Sequence, residues 1–179
     1  MKEALKENRL VEVQLVSEIP PDQLRWRNDP AIHAWTRQNG ILTAQDHAKW
    51  LVKIENDPTI KMFGIESSLG FVGTCGLTSI SYIHGTAEFS LFIGPEHQGQ
   101  GFGRAALVAL LLYGFHHLRL NCIWGETFQG NPALHLFKSL GMTEEGLLRK
   151  RYFKNGEYRD SIPISILKKE AKGQPWYIS

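Results

Sequence analysis

The residues best placed to do chemistry are three glycines at alternate positions, in Gln98-Gly99-Gln100-Gly101-Phe102-Gly103-Arg104. Glycine lets the main chain come close to a ligand, and successive N–H groups ahead of a helix attract an anion. A phosphate or diphosphate is the guest such a loop fits. A nucleotide-binding P-loop would need Lys-Ser or Lys-Thr after its last glycine, and none follows here. A dinucleotide loop would need a glycine where Arg104 stands. What remains is Gln98-x-x-Gly101-x-Gly103, a loop that holds an anion through its backbone and without a lysine. The alternative is a flexible connection that binds nothing.

A loop of this kind needs a strand before it and a helix behind it. Ala87 to Ile93 alternates as a buried strand, and the apolar run from Ala105 to Phe115 continues as a helix to about Leu118. Upstream, Leu10 to Val16 reads as a strand, Asp22 as the cap of a short helix bearing Trp26, and Ile32 to Trp35 as a second one. Thr43-Ala-Gln-Asp46 has capping-box form, and the helix behind it would show Trp50, Leu51 and Ile54 on one face. Ile60–Glu66 and Phe71–Ser79 read as a hairpin. Cys122 to Phe128 is a further strand, and Pro132 to Leu140 a helix stopped by Gly141. The Asn155-Gly156 turn joins a final hairpin from Glu145 to Leu167. Pro163 predicts an edge position or a bulge in its second arm. The expected class is α/β (α+β): a mixed sheet with helices on its faces, in one domain over residues 1–170 with 171–179 as a tail.

Composition narrows the function. With 42% hydrophobic and 21% charged residues among 179, the chain can bury a core and is not wholly disordered. A formal charge of +2 is too balanced to make nucleic-acid binding the default. The longest apolar run is shorter than the roughly 20 residues that span a bilayer, so no membrane role is expected. Cys75 and Cys122 have no metal-ligand or disulfide spacing, and the seven histidines form no metal constellation. The expectation is a metal-free, cytoplasmic protein.

Strand, Q-x-x-G-x-G loop and helix resemble the acetyl-CoA-binding core of the GNAT superfamily of N-acetyltransferases. Asn131-Pro-Ala-Leu-His-Leu-Phe137-Lys-Ser-Leu-Gly141 resembles the helix after that family's splayed fifth strand. Glu145 to Asp160 resembles the terminal hairpin of the branch acting on ribosomal-protein N-termini (the RimJ/RimL type), and Trp26-Arg-Asn-Asp-Pro30 is typical of that branch and of bacterial amino-sugar acetyltransferases. The resemblance implies a mostly antiparallel sheet, splayed at the cofactor, and acetyl-CoA as cosubstrate. Backbone groups of Leu91, Phe92 and Ile93 would pair with the pantetheine arm. The amides of Gln98, Gly99, Gln100, Gly101, Phe102, Gly103 and Arg104 would cradle the diphosphate, with Asn131 and Phe137 also at the cofactor.

Glu88 stands where many family members carry a base glutamate, and it would act through water; the alternative is a strand-end carboxylate that positions the amine. A backbone N–H near Phe92 or Ile93 would face the charge developing on the acyl oxygen. Phe137 replaces the tyrosine that often protonates the leaving thiolate. Ser139 or Tyr152 could supply a hydroxyl instead, and a thiol of pKa about 8.5 leaves without an acid. Trp26, Arg27, Asn28, Trp35 and Tyr152 are the acceptor-pocket candidates, although each tryptophan alone reads as core. The implied acceptor is a primary amine, on a protein N-terminus or a small molecule. A nucleotide-linked amino sugar, or a non-catalytic acyl-CoA sensor, are the alternatives, and a homodimer is compatible with all of them.

Overall fold

A computed structural model describes residues 12–20 and 22–178, Asp22 by its backbone alone. The expected start of the first strand at Leu10 and the Asp22 side-chain cap lie outside the described residues. The strands are β1 (Gln14–Val16), β2 (Lys61–Ser67), β3 (Gly70–Ser81), β4 (Thr86–Ile93), β5 (Cys122–Phe128), β6 (Thr143–Glu144), β7 (Leu148–Lys154) and β8 (Glu157–Leu167). They form one sheet in the order β1-β2-β3-β4-β5-β8-β6, with β7 also on β8. Every pairing is antiparallel except β4 with β5. The helices are α1 (Asp22–Asn28), α2 (Pro30–His33), α3 (Ala44–Asn56), α4 (Phe102–His116), α5 (Ala133–Ser139) and α6 (Lys168–Ala171).

Local sequence explains where the helices begin. Thr43 and Asp46 close a reciprocal capping box on α3. Residue 29 caps α2, the Asp29 carboxylate accepting the Ala31 amide at 2.8 Å, and Pro30 supplies the first turn. That helix therefore starts and ends two residues earlier than its apolar pattern predicts. Among the described residues α3 buries no side chain completely, and its Trp50, Leu51 and Ile54 stripe is only half covered. By contrast α4 sinks Ala106, Leu107, Leu110, Leu111 and Phe115 completely against one face of the sheet.

Pro163 is not at an edge. It lies in β8, paired with Glu126 of β5 on one side. On the other side its carbonyl accepts the Glu145 amide at 2.9 Å. Its missing N–H falls where the outer neighbour changes from β6 to β7, so no ladder bond is lost. The arm expected from Glu145 accordingly begins only at Leu148, as β7, and the short β6 precedes it. Beyond α6, Trp176 donates to the Leu140 carbonyl at 3.2 Å and packs on the core. Among the described residues no helix is long and apolar enough to cross a membrane.

The central irregularity is at β4 and β5. They pair only at Thr86–Cys122, Ala87–Ile123 and Glu88–Trp124 and then separate. The Phe89 ring fills the opening: it crosses Gly125 so closely that a Cβ there would lie 2.4 Å from Cε1. Its other edge meets Phe137 of α5, ring centres 5.1 Å apart. Just past the last paired residues, with this ring seated over Gly125, the two strands leave a V-shaped gap at the sheet centre.

Candidate active site

The gap continues into a cleft of about 930 Å³. One half is made of backbone. Gln98 spends its amide on the Pro95 carbonyl, and the first internal bond of α4 is the Ala105 amide to the Gly101 carbonyl. Between them, among the described residues, the six amides of 99–104 have no protein acceptor. Gly99 and Gly101 sit at φ +73° and +90°, where side chains are disfavoured. Gly103 is different: a Cβ would meet Leu136 and Ile93 only at 3.5 and 3.6 Å, so the protein itself leaves room for one. Gly99, Gly101, Gly103 and Arg104 all line the cleft. Six unspent donors at the N-terminus of a fifteen-residue helix form an anion cradle.

The cradle is anchored from behind. The turn of Pro95–His97 presents Glu96, which accepts the Trp26 indole N–H at 3.0 Å and an Arg25 guanidinium bond at 2.7 Å. Trp26 stacks on Phe71 and lies over Gly94, where a Cβ would come within 2.4 Å of the indole. It is 2% exposed and does not line the cleft. Phe102 is likewise buried, edge-on to His97, and Gln100 turns back to the Glu96 carbonyl.

Alternation along β4 decides which peptide groups face the gap. The Gly94 amide donates to Val72 on β3 at 2.9 Å, so the Phe92 peptide also turns to β3, while Leu91 and Ile93 turn to the open side. The Ile93 carbonyl already accepts the Gln98 side chain at 3.0 Å. That leaves the Leu91 peptide and the Ile93 amide for an extended ligand arm. Phe92 instead offers its ring, 5.9 Å from the Arg27 guanidinium.

The other half of the cleft is made of side chains. The Glu88 side chain is 10% exposed and its carboxylate accepts a hydrogen bond from Arg37. Arg37 lies 3.5 Å from the Tyr152 hydroxyl, which donates to Glu126 at 3.0 Å; Ser161 donates to the same carboxylate. Hydrogen bonds to Tyr152 and Glu88 and their charges outweigh burial and keep Arg37 cationic. The loop carrying Arg37 is held from two sides. Asn28 exchanges hydrogen bonds with both peptide groups of Leu42 at 2.8 Å. Lys154, 1% exposed, donates to the Gln38 carbonyl and lies 3.4 Å from the His33 ring.

Of the expected site residues, Arg27, Trp35, Glu88, Leu91, Phe92, Ile93, Gln98, Gly99, Gly101, Gly103, Arg104, Asn131 and Phe137 line this cleft. Trp26, Asn28, Gln100, Phe102 and Tyr152 do not: the first four support its walls and Tyr152 reaches it through Arg37 and Glu126. Asn131 uses its side chain on Thr127 and on the Ala133 amide, which caps α5. Arg104 reaches across to Ser139 at 3.0 Å and ties α4 to α5. The Ser139 hydroxyl itself donates to the Leu136 carbonyl.

Arg37 and Glu126 were not foreseen. Glu126 had a signal, a carboxylate in the middle of an apolar strand. Arg37 had none, since only folding brings it over Glu88.

Comparison with known proteins agrees with this geometry. Residues 14–143 match the acetyltransferase (GNAT) domain family. A spermidine N(1)-acetyltransferase of Vibrio cholerae is 39% identical over 63% of this chain, and that of Escherichia coli K12 33% over 62%. The matched stretches span 66% and 60% of those relatives' own lengths. A putative ribosomal N-acetyltransferase of Bacillus subtilis is 32% identical over 62% of the chain. The crystal structure of the Vibrio cholerae spermidine N-acetyltransferase with CoA and spermine superposes with a TM-score of 0.82. It is 30% identical and covers 89% of this chain and 98% of that one. With the splayed strands, the amide cradle and this match over well more than half its length, the chain belongs to the GNAT acetyltransferase family.

Proposed function

We propose that the protein transfers the acetyl group of acetyl-CoA to the primary amine of a small molecule, by direct attack of the amine. The observation that carries this reading is the run of six unspent amides at 99–104, beside an opened β4–β5 ladder that has Glu88 at its closed end. Acetyl-CoA, when bound, supplies an acyl carbon activated as a thioester. The amides hold its diphosphate, and the Leu91 peptide and Ile93 amide pair with its arm. Of these two, the Leu91 amide, nearer in the strand to Glu88, is the donor that meets the acyl oxygen at the end of the arm. Glu88 takes the proton of the attacking amine, directly or through a water, while Arg37 fixes the carboxylate's orientation.

The leaving thiolate receives no proton from α5, because Phe137 has no hydroxyl. Ser139 is bonded to its own helix, and the Tyr152 hydroxyl is directed at Glu126. The thiolate therefore leaves unassisted and is protonated by solvent, which its moderate basicity permits.

A small-molecule acceptor is favoured over a protein N-terminus because the spermidine enzymes among the relatives carry a small amine in their names. The test is release of free thiol from acetyl-CoA against a panel of small amines and N-terminal peptides. Glu88→Gln should lower kcat by about a hundredfold and leave the affinity for CoA unchanged. Undiminished turnover in that variant would remove Glu88 from the reaction, and turnover of peptides alone would overturn the small-molecule acceptor.

A further inference from the structure

The acceptor half of the cleft is rich in positive charge that is only partly paired among the described residues. Arg27 lines the cleft, yet among the described residues its guanidinium bonds only the neutral Gln38 side chain, at 2.9 and 3.2 Å, and faces the Phe92 ring. Arg37 keeps 44% of its side chain exposed while holding Glu88. Behind Trp35, Arg159 lies over the Trp35 and Phe128 rings at 5.9 and 5.4 Å, and its carboxylate partner Glu157 is 3.8 Å away and mostly exposed. Lys154 is buried on a carbonyl and an imidazole. Of these four cations only Arg27 and Arg37 line the cleft, and the two carboxylates that line it, Glu88 and Glu126, are both already bonded to donors other than Arg27.

A cation withdrawn from water without a counter-charge is unfavourable, and a ligand anion is the natural remedy. The strain registers in the groups themselves. Burial pulls the Arg27 guanidinium below its ordinary range, and burial with the nearby Arg159 charge does the same to Lys154. A polyamine would bring further positive charge to this wall and find no uncommitted carboxylate among the described residues that line it.

We infer that the acceptor is an amine carrying its own carboxylate or phosphate, and that Arg27 and Arg37 form the subsite that receives this anion. The inference rests on the acetyltransferase reading above and names its substrate class. The anion docks on the side of the cleft bearing Arg27, which leaves the amine directed toward Glu88. Arg159 and Lys154 contribute charge from behind the wall without touching the ligand.

The experiment is calorimetry on the CoA-saturated protein with β-alanine, phosphoethanolamine, propylamine and spermidine, run beside thiol release from acetyl-CoA. At least one of the two anionic amines should bind about tenfold or more tightly over both propylamine and spermidine. The two anionic arms separate carboxylate from phosphate. The preference should shrink as salt is raised. Arg27→Gln should remove most of it with CoA affinity intact, and Arg27→Lys should retain it. Spermidine as the tightest ligand, equal affinities across the set, or no binding of either anionic amine at millimolar concentration would each overturn the subsite. An anionic preference without acetyl transfer would instead contradict the proposed activity and leave the subsite standing. Efficient acetylation of spermidine alone would do the reverse.

Discussion

The two halves of the cleft are built from different materials. The cofactor half is backbone: one continuous segment, 91–104, supplies its donors, and its side chains mostly face away into supports such as Glu96, Phe102 and Gln100. The acceptor half is side chain: Arg27, Arg37, Glu88, Glu126 and Tyr152 come from five separate stretches and meet only in the folded protein. A backbone site depends on φ angles and open space, so it tolerates changes of side-chain chemistry but not added atoms. A side-chain site behaves the opposite way. Substitutions in the two halves should therefore separate cofactor affinity from turnover.

The largest effect is expected at Gly101. A β-branched residue at φ +90° is strained and would displace the amides around it. Gly101→Val should lower CoA affinity by more than about a hundredfold, which corresponds to about 2.7 kcal/mol. Calorimetry of the folded variant checks this, and normal affinity would break the distinction between the halves.

Gly103→Ala sharpens it further. The new methyl meets only ordinary contacts within the protein and improves helix propensity by up to about 1 kcal/mol. Its thermal stability should hold or rise slightly, while CoA affinity falls by about tenfold if the methyl intrudes on the bound diphosphate. Unchanged affinity would show that the close approach stops short of Gly103.

The smallest effect concerns the support behind the cradle. Bonds from its own backbone amide, Arg25 and the Trp26 indole hold the Glu96 carboxyl down at about 2, below an ordinary 4.5. Because the folded-state value is depressed, the stabilisation is complete above pH 4.5 and is lost as pH falls toward 2. Glu96→Gln should unfold somewhat more easily than the parent at pH 7, followed by tryptophan fluorescence, with the gap closing across that window. A gap that is constant with pH would assign the effect to packing.

The same contrast explains what the sequence revealed. Alternating glycines are a local pattern with a local physical cause, so the anion loop, its strand and its helix could be read directly. The capping box at Thr43 and the Asn155-Gly156 hairpin were legible for the same reason. Pro163 misled because a proline excludes a ladder bond on one side only, and the sequence does not say that the neighbouring strand is interrupted there. The opening of β4 from β5 lies beside the contact of Phe89 with Gly125, residues 36 positions apart with no shared motif. Arg37 was invisible because nothing distinguishes it from any solvated arginine until Asn28 and Lys154 fix its loop above Glu88.

The most direct test of the central claim is amide-resolved NMR of the protein titrated with CoA. The N–H resonances of 99–104 should shift more than those elsewhere and become protected from solvent exchange, as free donors acquire phosphate acceptors. CoA binding with these six signals unmoved and still exchanging freely would contradict the account.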